Sequence, residues 1–229
     1  MNESNIKNLI AAPALEISSN HLKLGSKFSK TIFVFTYPRY LSSGWFSPII
    51  NLPELMDVSI HIHPIDTALA LKNLRKKVTV VEAQIIEQEE KGLVRNPVLE
   101  TAYQDIESLR DSLQQSRENL FNVGVYITIF AATLEDLNKL EAKVNNILES
   151  KLIYAKPAIF QQLEGLNSVL PMGLDQLSIT TPLNSGPLSS IFPFVSADLT
   201  SDNGILYGIN RHNNTLIIFD RFSLENANM

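Results

Sequence analysis

The sequence contains no cysteine. Disulfide bridges, zinc–thiolate centres and thiol catalysis are therefore excluded. The absence fits a reducing, intracellular compartment. Long hydrophobic runs are missing as well. The longest apolar stretches, such as Thr31-Ile-Phe-Val-Phe35, are strand-sized and fall well short of the roughly 18 residues of a spanning helix. Familiar catalytic signatures are also lacking: no G-x-S-x-G elbow, no H-E-x-x-H pair and no G-x-x-x-x-G-K-[ST] phosphate loop. Positive charge is in short supply. Nineteen Lys and Arg against 24 Asp and Glu leave a formal net charge of -5. Binding through a nucleic-acid backbone favours a basic surface, so direct nucleic-acid contact is not expected. The first residues lack the pattern of a signal peptide: Glu3 precedes the short apolar patch Leu9-Ile-Ala-Ala12 and Pro13 follows it.

What is present is ordinary globular material, with 229 residues of which 45% are hydrophobic. Such a chain buries a substantial core without staples. Leu15-Glu-Ile17 and His21-Leu-Lys-Leu24 alternate like strands around a turn at Gly25. The β-branched and aromatic run Thr31 to Tyr37 is the strongest strand signal near the start. Gly44 to Leu52 is a short apolar element. In Met56 to His63, Val58, Ile60 and Ile62 share one strand face, and Asp57, Ser59, His61 and His63 share the other. A long helix is expected from Asp66, its cap, to Lys91, with Gly92 ending it. A helix of that length measures roughly 39 Å. A second helix starts at Pro97 behind the cap Asn96, and the short connection makes the two an antiparallel hairpin. Val123 to Ala131 reads as a strand, Leu134 to Glu149 as an amphipathic helix, Leu152 to Ala155 as a short strand and Ala158 to Asn167 as a helix. Thr180 to Pro193, rich in Pro, Ser, Gly and Asn, is the best boundary candidate. Gly204 to Asn210 and Thr215 to Asp220 flank a polar turn as a β-hairpin. The order predicts an α+β sandwich of the split βαβ, ferredoxin-like kind, with the helical hairpin inserted.

Several constellations invite a functional reading. His61 and His63 lie on one strand face and can ligate a metal, with Asp57 as a third donor. A polar, solvent-facing strand produces the same pattern, and no second His/Glu cluster stands ready to complete a site. No metal is therefore expected. Leu216-Ile-Ile-Phe-Asp220 has the outline of a Walker B strand, but Arg221 follows where many such ATPases place Glu. Gly25-Ser-Lys27 is a mere fragment of a phosphate loop. Glu87, Glu89, Glu90 and Lys91 read as a solvated helix face. Lys72, Arg75 and Lys76 share a helix face, either a plain polar surface or a contact for phosphate or anionic lipid. Trp45 and Phe46 are either core residues or a partner-facing anchor.

The C-terminal third carries an ordered series: Leu166-Asn-Ser-Val-Leu-Pro171, Phe192-Pro-Phe194, Gly204-Ile-Leu-Tyr-Gly-Ile-Asn210, Asp220 and Asn226-Ala-Asn228. Tyr37-Pro38, Gly44-Trp45, Asp57-Val-Ser-Ile-His61, Pro64-Ile-Asp66, Glu118-Asn-Leu-Phe121 and Val125-Tyr-Ile127 accompany it. Together, from about residue 30 onward, these resemble the VirB/TraC-type ATPases of type IV secretion and conjugation systems. The resemblance implies residues 1–27 as a flexible or β lead-in, 28–195 as the family's N-terminal α+β domain, and 196–229 as a linker and first hairpin of a truncated P-loop motor. It implies that Asn226 and Asn228 would flank the nucleotide loop in a complete protein. The family's ATP and Mg²⁺ would then belong to the full-length protein, leaving no cofactor and no catalytic residue in this chain. It further implies docking to other secretion-system subunits and inner-membrane platform proteins, contact with its own motor or other copies, and a cytoplasmic, peripheral place at the inner face of the bacterial plasma membrane.

Overall fold

A computed structural model describes residues 14–92, 94, 96–192, 203–211 and 216–220. The chain divides into two compact units, Met1–Pro193 and Phe194–Met229.

The first unit is built on one strand. β5 (Leu120–Ala131) is buried through seven consecutive residues from Val123 to Ile129. Such a run marks a strand covered on both faces. β3 (Lys27–Thr36) and β4 (Met56–Pro64) pair with β5 on opposite sides, both antiparallel to it. The two therefore run parallel to each other with β5 between them. β1 (Leu15–Ile17) and β2 (Leu22–Leu24) add to the outer edge of β3, as does β6 (Tyr154–Pro157) further along. β7 (Thr181–Asn184) pairs with the start of β5. The class is α+β, on a mainly antiparallel seven-stranded sheet.

Each face of the sheet has its own cover. On one, Ile32, Val34, Val125, Ile127 and Ile129 pack against Leu137, Leu140, Val144 and Leu148 of α4 (Leu134–Glu149). α4 begins where Thr133 Oγ1 accepts the Asp136 N–H at 3.1 Å, with Glu135 and Asp136 at the favourable end of its dipole. The short helix α1 (Ser47–Ile50) closes the same core with Ile49. On the other face lies α5 (Gln162–Val169), so close that a methyl group on Gly165 would stand 2.7 Å from Thr31. α2 (Thr67–Glu90) and α3 (Pro97–Gln114) form the hairpin between β4 and β5. Asp66 and Asn96 cap them as the sequence predicts: Asp66 Oδ1 accepts from Leu69 N–H at 2.8 Å and Asn96 Oδ1 from Val98 N–H at 3.1 Å. Their shared core is Ala70, Leu74 and Leu113, with Leu71, Ile106 and Leu109 beside it.

Thr180 to Pro193, read as the boundary, ends where the two units divide, yet it is built into the first unit: β7 pairs with β5, and α6 (Ser185–Ile191) places Ile191 in the core. The strands read at Leu15 to Ile17 and His21 to Leu24 form as β1 and β2, and they join the sheet of the first unit, so no division falls between residues 27 and 28. The strand expected at Leu152 starts at Tyr154, since Leu152 takes a left-handed turn (φ 58°) that ends α4. The helix expected at Ala158 starts at Gln162, because Ala158 N–H is committed to the Thr31 carbonyl and Phe160 is left-handed (φ 62°).

In the second unit, β8 (Ile205–Ile209) and β9 (Leu216–Phe219) pair antiparallel, with a bulge at Tyr207. Ile205, Leu206, Tyr207 and Ile209 are exposed.

Candidate functional site

The polar face of β4 does not meet open solvent along its whole length. Opposite His61 in the register stands Gly124 of β5. A side chain there would run into the Tyr126 hydroxyl at 2.6 Å and the Ile179 carbonyl at 3.2 Å. Glycine thus leaves the space in which the segment following α5 reaches the sheet.

That segment, 170–180, is tied down through its own backbone. Ser168 Oγ accepts from the N–H groups of Gln176 and Leu177 at 2.9 and 3.1 Å. Asp175 Oδ1 accepts from Ser178 N–H at 2.9 Å and from the Tyr126 hydroxyl at 2.8 Å. The Tyr126 oxygen in turn accepts from Ile179 N–H at 3.1 Å. His63 Nε2 stands 3.3 Å from Asp175 Oδ2, and His61 Nε2 stands 2.7 Å from the Ser168 carbonyl oxygen. The two imidazoles stack with centroids 6.4 Å apart.

Electrostatics follow from these contacts. Burial alone would raise the Asp175 carboxyl, but hydrogen bonds from Ser178 N–H, the Tyr126 hydroxyl and His63 stabilise the carboxylate, and the balance lies below the ordinary Asp range. Burial, then the bond to Asp175, pushes the Tyr126 phenol well above its ordinary value. Tyr126 is therefore a neutral donor facing a charged acceptor.

His61, His63 and Asp175 form a group of three metal-competent side chains. The structure brings the two histidines together as the alternation predicts, but replaces the expected third donor. Asp57 lies four residues from His61 along the strand, roughly 13 Å at 3.3 Å per residue. Asp175 takes its place from 112 residues beyond His63. The local signal for Asp175 is the pairing Asp175-x-x-Ser178, which closes a turn. Nothing local says that this turn lands on β4.

The other candidates fall elsewhere. Trp45 and Phe46 are 2% and 1% exposed, edge-on to each other at 5.1 Å. They are core residues and not a partner-facing anchor. Lys72, Arg75 and Lys76 do come together, lining a shallow groove on α2 with Ala68 and Leu71. Gly25 and Ser26 form the tight turn between β2 and β3, with Gly25 at φ 60°, so they supply no phosphate cradle. Asn226 and Asn228 lie outside the described residues. Among those residues, no helix is long and apolar enough to cross a membrane.

No family model matches this chain, and no curated protein matches it either.

Proposed function

We propose that this chain is a non-catalytic assembly and docking domain of a type IV secretion, or conjugative transfer, ATPase, followed by the first hairpin of the motor. The observation that carries the reading is the α2–α3 hairpin. It is inserted between the paired strands β4 and β5, and α2 alone spans about 36 Å for its 24 residues. Its buried residues on α2 are Ala70, Leu74 and Val78, all in the half nearest the sheet. The outer half is far longer than this core requires, which is the form of an element kept for a partner. Near its base, Lys72, Arg75 and Lys76 offer a cationic surface to that partner or to anionic headgroups.

In this reading the partners are other secretion-system subunits, inner-membrane platform proteins, and the motor domain or further copies of the chain. The setting is the cytoplasmic face of the bacterial plasma membrane. ATP and Mg²⁺ act on the motor, where Asn226 and Asn228 would flank the nucleotide loop. The exposed apolar residues of β8 support a hairpin that joins a larger sheet.

The test is calorimetric titration of the purified chain with Mg-ATP, followed by phosphate release. The reading predicts neither saturable binding nor turnover. Micromolar affinity with measurable hydrolysis would sink it. A metal-dependent enzyme is the second reading, favoured by the grouping of His61, His63 and Asp175.

A further inference from the structure

We infer that His61, His63 and Asp175 form a binding site for one divalent transition-metal ion of the zinc type, placed where segment 170–180 closes over the edge strand β4. This inference is independent of the secretion reading and requires no catalysis.

The donor set decides the class of ion. Two imidazole nitrogens and one carboxylate oxygen suit zinc, copper or nickel. Magnesium and calcium prefer an all-oxygen shell. The distances are within reach of closure. One nitrogen from each histidine and one oxygen of Asp175 lie within 4.8 Å of one another. Zinc bonds of about 2.0–2.2 Å put tetrahedral donors about 3.4 Å apart, so the widest pair closes by no more than about 1.4 Å. His63 can supply that movement, because its side chain is 54% exposed.

Each ligand is oriented from behind. The Ser168 carbonyl can only accept, so His61 Nε2 carries the proton of their 2.7 Å hydrogen bond and Nδ1 keeps a lone pair. Metal-binding imidazoles commonly donate their other N–H to a backbone carbonyl in this way. Asp175 Oδ1 is occupied by the Tyr126 hydroxyl and Ser178 N–H, which leaves Oδ2 on the side of His63. An ion there replaces one 3.3 Å hydrogen bond by bonds to both partners. It pins the segment carrying Asp175 to the sheet. Three protein ligands leave further coordination to solvent, as in open zinc sites.

The experiment is calorimetric titration of the chelator-stripped full chain with zinc chloride and, separately, magnesium chloride. One zinc per chain is expected, with no saturable magnesium binding. His63→Ala and Asp175→Asn are expected to weaken zinc binding at least about tenfold, as loss of a metal-site residue does. Asp57→Ala and His21→Ala are expected to leave it unchanged. His61→Ala is a poor first variant, since this ring packs against Tyr126 at 5.4 Å. Wild-type protein that takes up no stoichiometric zinc overturns the inference without any variant. So does a folded His63→Ala protein, checked by circular dichroism, that binds zinc as tightly as wild type.

Discussion

At the scale of single residues, the least expected side chain is Lys30. It is 3% exposed on β3, and its Nζ meets Glu141 Oε2 at 2.6 Å and Asn138 Oδ1 at 2.9 Å, both on α4. A buried charge that loses its partner is costly, while replacing both partners of a buried pair by apolar side chains of similar volume costs less. Lys30→Ala is predicted to destabilise the fold by about 3 kcal/mol in urea denaturation, and the double variant Lys30→Met/Glu141→Leu by clearly less. Tyr37 gives a pH prediction. Burial pushes its phenol well above the ordinary value, and its hydroxyl has no hydrogen-bond partner among the described residues. A group whose folded pKa is raised lends stability that is fully present below its unfolded value, about 10 for tyrosine, and lost as pH climbs toward the folded value. Stability is therefore predicted to fall from about pH 10 upward. The check is tyrosinate absorbance read beside circular dichroism: Tyr37 and Tyr126 should ionise only together with unfolding. Their ionising at about pH 10 while the fold persists would contradict the account.

At the scale of elements, what was legible in the sequence follows from how far each signal reaches. Asp66, Asn96 and Pro97 mark their helix starts within three or four residues, and both caps form as read. The alternation through His61 and His63 likewise fixes one face of β4. The misplaced elements are those whose backbone answers to distant partners. Ala158 follows Thr31, and Thr181 to Asn184 pair with Leu120 to Val123 although their composition reads as a domain boundary. Pro182 is tolerated there because β7 pairs with β5 alone among the described strands. Asp175 is the same case at the candidate site: its turn is legible, but its landing point is not. The α2–α3 hairpin carries the element-scale prediction. Beyond Val78 it has few buried apolar residues, and low local burial means low local stability. Amides from 80 to 92 and 98 to 105 are predicted to exchange faster than those of Val123 to Ile129 in hydrogen-exchange mass spectrometry. Equal protection would show that the hairpin is held by more than its own thin core.

At the scale of the whole molecule, the two units have different characters. The first has a hydrophobic cluster on each face of its sheet. The second shows, among its described residues, a two-stranded sheet with exposed apolar side chains. The long hairpin of the first unit and the exposed apolar strands of the second are the two features that support the proposed assembly role. Net charge -5 argues against a general attraction to nucleic acid or anionic membrane, and the α2 groove gathers Lys72, Arg75 and Lys76 for a local contact. The most direct measurement of the docking claim is amine-reactive cross-linking in the cells that express the chain, read by mass spectrometry. Lys72 and Lys76 are predicted to cross-link to inner-membrane secretion-platform subunits, while Lys139 and Lys151, on and beside α4, serve as surface controls. Cross-links from the controls, with Lys72 and Lys76 joined solely to proteins outside any secretion machinery or to none, would contradict it.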